Sequence, residues 1–185
     1  MFEVEVKFRV DSLSDVRRNL LSIGAKKLCT IEEKDLYFNH PCKDFAKSDE
    51  ALRIRVHSDG TIILTYKGPR MGSEGKSREE INVKISSDED MERMLERLGF
   101  RKFLEIVKER EVYTYENFTI NLDQVRDLGS FVEIETLTTD SSLISNIVNA
   151  IADFAKKIGL DPSNIERKTY LELALEKLKF SGNIY

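Results

Sequence analysis

Strict alternation of apolar and charged residues characterises the first segment of the chain. Residues 2–10 read FEVEVKFRV, so apolar and charged side chains occupy opposite faces of an extended segment. This period of two is typical of a β-strand with one buried face. The alternation returns at residues 52–56 and 78–85, and the pattern therefore predicts a sheet rather than an isolated strand.

Alternation and turn signals together predict eight strands and four helices. The strands are expected at 2–10, 27–38, 51–57, 61–67, 78–85, 102–115, 118–124 and 130–138. Helical periodicity predicts helices at 12–24, 87–99, 141–158 and 163–179. The first begins at Ser12 and ends at Gly24, and the second begins at Ser87 and ends at Gly99, residue types that favour helix ends. The Gly- and Ser-containing stretch at 68–77 predicts a mobile loop.

The apolar faces of these strands need a covering layer, and the amphipathic helices supply one. We expect the following residues to be buried: Val4, Val6, Leu52, Ile54, Leu64, Ile81, Val83, Val132 and Ile134. The fold class predicted is α+β, with a closed eight-stranded antiparallel β-barrel, helices outside and a charged interior that forms a tunnel. A single domain is expected over residues 1–180, followed by a short tail at 181–185.

Composition narrows the range of functions. Charged residues make up 34% of the chain, against about 25% in an average globular protein, so charge is unusually dense. The net charge of −4 argues against general nucleic-acid binding. Neither a signal peptide pattern nor an apolar run of about 20 residues occurs, which favours a cytoplasmic protein that does not enter a membrane. Two cysteines without metal-type spacing suggest no zinc site.

The charged face of the sheet carries both signs. A solvated face explains such alternation in any one strand, but its recurrence on strand after strand favours a lined site. Glu3 and Glu5 share one strand face, and Glu133 and Glu135 share another, as hard oxygen donors for Mg²⁺ or Mn²⁺. The cations on such faces are more numerous than one phosphate requires and suit a triphosphate: Lys7, Arg53, Arg55, Lys67, Arg78, Lys108 and Arg110.

Other nucleotide-binding and catalytic patterns are missing from the sequence. Neither a GxxxxGK[ST] loop nor a GxGxxG fingerprint occurs. His40 and His57 have no ligand spacing between them, which disfavours a histidine-based metal or catalytic site.

The segment from Glu3 to Lys7, EVEVK, resembles the ExExK signature of the CYTH superfamily, the triphosphate tunnel metalloenzymes. Further elements follow in the order of that family over nearly the whole chain: 35–38 (DLYF), 52–55 (LRIR), 65–69 (TYKGP), 77–80 (SREE), 108–110 (KER), 122–125 (LDQV), 128–129 (LG), 131–135 (FVEIE) and 168–173 (KTYLEL). The segment around Lys67 and Pro69 is most similar to the class IV adenylyl cyclase-like branch. Asn82 departs from the family, which often has an inward glutamate there, and this puts a ligand for a second metal in doubt.

The resemblance implies a role for each charged residue. It implies metal ligation by Glu3, Glu5, Glu133 and Glu135, assisted by Asp123, and phosphate binding by the seven cations. The candidate catalytic residues are Glu3, Glu5, Lys67 and Glu135. Its implied substrate is a small triphosphate such as ATP, tripolyphosphate or thiamine triphosphate.

Three functions remain open at this point. In a cyclase the ribose 3′-hydroxyl attacks the α-phosphate of ATP and yields cyclic AMP and pyrophosphate. In a triphosphatase water attacks a terminal phosphate. A non-catalytic triphosphate sensor is the third. Nucleic acid and membrane are not expected partners, and a homodimer is left open.

Overall fold

The computed structural model describes residues 2–69 and 78–180, without the side chains of Phe2, Glu3, Ser141 and Phe180. The predicted tail at 181–185, and all but two residues of the predicted loop at 68–77, lie outside the described residues.

Nine strands form the sheet in the described part of the chain. They are β1 (Phe2–Val10), β2 (Lys26–Asn39), β3 (Ala51–His57), β4 (Ile62–Lys67), β5 (Glu80–Ile85), β6 (Arg101–Tyr115), β7 (Phe118–Val125), β8 (Gly129–Thr138) and β9 (Ile165–Glu166). Their order in the sheet is β5-β4-β3-β2-β6-β7-β8-β1-β9. The predicted α+β class and antiparallel sheet are confirmed. Among the described residues the order ends at β5 and β9, so hydrogen bonds do not close the sheet, and β9 adds a strand to the eight predicted.

Within residues 2–69 and 78–180, five α-helices accompany the sheet: α1 (Leu13–Ser22), α2 (Phe45–Ser48), α3 (Asp88–Arg97), α4 (Ile144–Lys157) and α5 (Tyr170–Phe180). The hydroxyl of Ser12 accepts a hydrogen bond from the Ser14 amide, and that of Ser87 accepts one from Asp90, so both predicted N-caps are confirmed. Gly24 and Gly99 follow the helix ends with φ of 86° and 93°, a left-handed conformation that favours glycine.

The last predicted helix is partly wrong. The segment expected to begin a helix at 163 instead forms a one-turn 3₁₀ helix, Pro162–Asn164, and then β9. Strand β9 pairs with β1 through Lys7 opposite Glu166 and Phe8 opposite Ile165. A tertiary pairing of only two residues leaves no periodic signal in the sequence. The one-turn helix α2 was also not predicted.

The chain divides into two compact units. Unit 1 comprises Met1–Thr30 and Lys108–Tyr185, and unit 2 comprises Ile31–Val107. In unit 1 a core of buried apolar side chains joins α1 and α4 to β1, β7 and β8, with Phe8, Leu20, Ile134 and Ile151 fully buried. A second core in unit 2 includes Phe38 and Ile54 from the sheet and Leu95 from α3.

The expected burial of β5 is wrong. Ile81 and Val83 are 50% and 49% exposed, and β5 lies beside β4 at the end of the described sheet order. Val4, Leu52, Ile54, Val132 and Ile134 are buried as expected, whereas Val6 and Leu64 are half-buried. No helix in the described part of the chain is long and apolar enough to cross a membrane.

Candidate functional site

The charged faces of β1 and β8 lie side by side in unit 1. Glu5 is opposite Glu135, and Lys7 is opposite Glu133. Directly opposed residues on antiparallel strands project from the same face of the sheet, and their Cβ atoms lie about 5 Å apart. The backbone of Glu3 is opposite that of Leu137, which extends the same strip, although the Glu3 side chain is not described.

Asp123 is the centre of a buried ionic network on this face. Arg110 donates to it through Nε at 2.7 Å and Nη2 at 2.5 Å, and Lys108 Nζ donates to its Oδ2 at 3.1 Å. The same Nη2 of Arg110 also contacts Glu133. A forked guanidinium held by two carboxylates is a strongly oriented cation.

Tyr170, the first residue of α5, completes this network. Its hydroxyl donates to Asp123 Oδ2 at 2.8 Å. Lys7 Nζ lies 4.2 Å from the ring centroid and Lys108 Nζ lies 5.1 Å from it, both within the range of cation–π attraction. The Lys7 ammonium also pairs with Glu133 at 3.4 Å. Two lysines predicted to bind phosphate are therefore held against one aromatic ring.

The pKa values of the paired carboxylates are low. Burial alone would raise the pKa of Asp123, but the Arg110 hydrogen bond and the Lys108 charge outweigh burial and lower it to about 2. Burial opposes ionisation of Glu133 too, yet the charges of Arg110 and Lys108 lower its pKa. Burial, followed by the charges of Glu133 and Asp123, raises the pKa of Tyr170 well above its usual value, so the phenol remains a hydrogen-bond donor.

Glu5 behaves in the opposite way. Its pKa is raised to about 7, first because the protein around it withdraws it from bulk water and then because Glu133 carries a like charge. Glu135 adds to that repulsion, and Lys7 reduces it. The side chain of Glu5 is nevertheless exposed, so solvent screens part of this effect. A carboxylate among other carboxylates gains most from a bound cation.

The donor set fits a hard divalent metal in its chemistry. Glu5, Glu133 and Glu135 provide only carboxylate oxygens, which Mg²⁺ and Mn²⁺ prefer. Their side chains do not yet converge on one point, since no group of three His, Cys, Asp or Glu side chains in the described part of the chain is arranged to hold an ion. Both oxygens of Asp123 already accept hydrogen bonds, so ligation by Asp123 would require it to give up one of them.

Asn121 is a member of this face that the sequence analysis missed. It lies two residues before Asp123 on β7, opposite Glu133, and is 2% exposed. Its Nδ2 atom has no hydrogen-bond partner among the described residues. An unpaired buried amide is costly, so a ligand oxygen would be a favourable partner. The spacing of two from Asp123 was the available signal.

Unit 2 contains a second cluster of predicted phosphate-binding residues. Arg55 donates to Asp35 from Nε at 2.6 Å and from Nη2 at 2.7 Å, and its Nη1 lies 3.0 Å from Glu33. Arg53 Nη1 lies 3.6 Å from the same Asp35 carboxylate, while its buried Nε has no hydrogen-bond partner among the described residues. Tyr37 is opposite Arg53 in the register. The orientation of Asp35, unsettled by the sequence, is toward the arginines.

Lys67 is the last residue of β4, which pairs with the strand β3 that carries Arg53 and Arg55. It is opposite Glu80 in the register and forms an ion pair with it. Burial lowers the pKa of Lys67, and the positive charge of Arg53 lowers it further. Arg78 is 3.8 Å from Asp49, at the limit of an ion pair. Thr65 donates a hydrogen bond to Asn82 at 2.8 Å, so the residue that departs from the family is tied to a neighbouring strand.

The structure thus sorts the predicted residues into two sets. Unit 1 brings together Glu5, Lys7, Lys108, Arg110, Asp123, Glu133 and Glu135, and unit 2 brings together Arg53, Arg55 and Lys67, with Arg78 beside Asp49. Contacts of the Glu3 side chain lie outside the description. Their roles as ligands and catalytic groups remain predictions.

Comparisons with known proteins bear on what these sets do. A family model described as the CYTH domain matches residues 1–170. A Methanocaldococcus jannaschii protein with the provisional name adenylate cyclase is 38% identical over 173 residues, which is 94% of this chain and 98% of that protein.

Solved structures share the fold. The PH1819 protein from Pyrococcus horikoshii superposes with a TM-score of 0.83 at 39% identity, over 95% of this chain and 99% of that one. A Hippeastrum protein, HpAC1, superposes with a TM-score of 0.69 at 20% identity, over 100% of this chain and 97% of that one. It is described as a provisional adenylyl cyclase with a dominant triphosphatase activity, and at this identity the likeness shows the fold alone.

Proposed function

The chain belongs to the CYTH family, and from this premise we propose that it is a metal-dependent enzyme that converts ATP to cyclic AMP and pyrophosphate. The proposal has two levels. Action on a triphosphate follows from the family, and the cyclase reaction is the finer assignment, supported by the name of the archaeal relative.

The observation that carries the proposal is the buried network of unit 1. Lys7, Lys108 and Arg110 are held within contact of carboxylates on a single sheet face. Pre-oriented cations of this kind stabilise negative charge that develops during phosphoryl transfer, because they need no reorganisation when the charge appears. Leaving pyrophosphate is such a charge.

The carboxylates are the proposed metal ligands. Glu5 and Glu135 are opposite each other and would hold the metal, together with Glu3 and Glu133. When bound, the metal polarises a phosphoryl oxygen as a Lewis acid. Glu5 must lose its proton before it ligates, and its raised pKa places that loss near neutral pH. For Arg53, Arg55 and Lys67 of unit 2, phosphate binding stays a prediction from the sequence.

A triphosphatase is the second candidate. The same carboxylates and cations serve attack by water on a terminal phosphate, and the Hippeastrum structure combines a cyclase-like name with dominant triphosphatase activity. The two reactions differ in the phosphorus that is attacked and in the attacking oxygen.

Product analysis distinguishes the two. We expect incubation with ATP and Mn²⁺ or Mg²⁺ to yield cyclic AMP and pyrophosphate in equal amounts, measured by chromatography and ³¹P NMR. Formation of orthophosphate and ADP from ATP, or of orthophosphate from tripolyphosphate, would contradict the cyclase assignment and support the triphosphatase. Binding of tripolyphosphate without turnover of either substrate would refute both.

A matched pair of variants on β8 and β6 ties turnover to the site. Glu135→Gln removes one proposed ligand and should lower kcat by at least about a hundredfold. Glu109→Gln makes the same chemical change at an exposed position of β6. Glu109 lies between Lys108 and Arg110, so its side chain projects from the face of β6 opposite to theirs. The Glu109→Gln variant should retain wild-type turnover; equal losses in both variants would contradict the ligand assignment.

A further inference from the structure

The entry into α5 is fixed by its own local hydrogen bonds. Thr169 and Glu172 form a capping box: the Glu172 amide donates to Thr169 Oγ1 at 3.2 Å, and the Thr169 amide donates to Glu172 Oε2 at 2.7 Å. Just upstream, the Lys168 amide donates to the carboxylate of Glu166, which lies opposite Lys7 in the β1–β9 pairing. The first residue of the helix, Tyr170, is therefore placed from both sides of its backbone.

The Tyr170 side chain is oriented as firmly as its backbone. Its ring meets the Phe131 ring edge-on, with centroids 5.1 Å apart, and it is 8% exposed. Its hydroxyl is anchored on Asp123 at 2.8 Å. The ring contact and the hydroxyl hydrogen bond together fix the orientation of the side chain, and the ring then lies beside the ammonium groups of Lys7 and Lys108.

Those two ammonium groups repel each other, and the ring is one of the groups that hold them together. Lys7 and Lys108 lie 4.2 and 5.1 Å from its centroid. Each lysine also pairs with a carboxylate, Glu133 or Asp123 respectively. A triphosphate would draw the ammonium groups toward its own oxygens, and the ring, being neutral, would keep them in place without competing as a counter-ion.

From this geometry we propose that Tyr170 is a positioning residue that prearranges Lys7 and Lys108 for the triphosphate. The inference rests on the proposed function, since it assigns the lysines to that substrate. Tyr170 itself need not touch the substrate. Helix α5 then serves the site through a single aromatic face, and the affinity for polyphosphate depends on how electron-rich that face is.

The test varies the ring and keeps its shape. Tyr170 is replaced by Phe, by 4-fluorophenylalanine and by 3,4,5-trifluorophenylalanine, and binding of inorganic tripolyphosphate with Mg²⁺ is measured by calorimetry. Phe should bind within about threefold of wild type, and affinity should fall along the series to about tenfold weaker for the trifluoro ring, because fluorine removes the negative potential of the face. Equal affinities along the series would overturn the proposal.

Tyr113 provides the matched control. It is a buried tyrosine of unit 1 whose hydroxyl donates to Glu111 at 2.9 Å and whose ring lies 5.9 Å from Lys27 Nζ. Like Tyr170 it therefore contacts a carboxylate and a lysine, but these belong to no part of the proposed site. The same fluorinated series at Tyr113 should leave tripolyphosphate affinity unchanged. A parallel loss there would show a general effect of ring fluorination and would also overturn the proposal.

A second readout separates this inference from the proposed function. Ring current should shift the ε-CH₂ protons of Lys7 and Lys108 upfield in the ligand-free protein, with assignments from Lys7→Arg and Lys108→Arg. Tyr170→Leu should abolish both shifts, and their absence in the wild type would refute the ring contact. If the shifts are present but wild type does not bind tripolyphosphate, the proposed function fails, and the positioning role fails with it.

Discussion

At the scale of residues, the carboxylates of unit 1 fall into two electrostatic classes. Asp123 and Glu133 have lowered pKa values because Arg110 and the lysines compensate their charge, whereas Glu5, although its side chain is exposed, has a raised pKa because the surrounding protein partly desolvates it and like charges oppose its ionisation. The first class holds cations in position. The second has unmet negative charge, which is the condition that favours metal binding.

Glu5→Gln should separate stability from function. Its folded-state pKa of about 7 exceeds the ordinary 4.5, so between these values the folded state binds more protons than the unfolded state. The free energy of unfolding of the metal-free wild type, relative to the variant, should therefore fall as pH rises from about 4.5 to about 7. Urea unfolding in EDTA at several pH values measures this difference.

The same variant should lose turnover at every pH, because an amide is a poor ligand where a carboxylate is needed. A variant that is inactive yet more stable than wild type above pH 7 is the expected combination. If the free energy of unfolding of the wild type, relative to that of the variant, instead rose with pH, the raised pKa of Glu5 would be contradicted.

At the scale of elements, the segment from β9 to the first turn of α5 determines how unit 1 presents its lysines. Two residues of β9 pair with β1, and the capping box then turns the chain into the helix that carries Tyr170. Helix α5 is short, and isolated helices of this length are marginal, so its first turn depends on the cap.

Thr169→Ala should destabilise this segment. Loss of the hydroxyl leaves the Glu172 amide without its cap partner, at a cost of about 1 kcal/mol in the free energy of unfolding. Thr169→Ser keeps the hydroxyl and is the control, with a change well below that value. Denaturant unfolding of both variants is the measurement, and equal destabilisation by Ala and Ser would show that the hydroxyl is not the stabilising group.

Element-scale features also show how far the sequence alone could reach. The alternation in residues 2–10 placed Glu5 and Lys7 on one face, because the period of a strand is a local property. Register is not local: the pairing of Glu5 with Glu135 joins strands far apart in the chain, and the sequence held no signal for it. The expected burial of Ile81 and Val83 was also wrong, because alternation shows that two faces differ but not which strands have a covering layer.

The role of Tyr170 could not be predicted from the sequence, although the N-terminal cap of α5 could. The spacing of Thr169 and Glu172 fits a capping box, although the helix was predicted to begin at 163, directly after Pro162. The contacts of Tyr170 with Lys7, Lys108 and Asp123 come from three separate strands. Such a juxtaposition is tertiary and requires coordinates.

At the scale of the whole molecule, a ligand that binds only the folded state raises its stability by mass action. At a tripolyphosphate concentration of about 100 times Kd, the gain is about 2.7 kcal/mol. In a chain of 185 residues this corresponds to a rise in Tm of about 5–10 °C. Scanning calorimetry with Mg²⁺ and tripolyphosphate tests it, and orthophosphate, which fills a single phosphate position, is the control. An equal rise with both would contradict selection for a triphosphate.

The discontinuity of unit 1 has a consequence for synthesis on the ribosome. Unit 2 is one continuous stretch, Ile31–Val107, and is complete when its last residue emerges, whereas β1 must wait for β8, its hydrogen-bonded partner. The 128 residues from the end of β1 to the end of β8 take about 6–25 s to synthesise at translation rates of about 5–20 residues per second. During this time the unpaired strand exposes Glu3, Glu5, Lys7 and Arg9 on one side, and charges on a free strand discourage pairing with other chains. Glu3, Glu5 and Lys7, which are proposed for metal and phosphate in the folded protein, are thus also expected to reduce aggregation of the nascent chain.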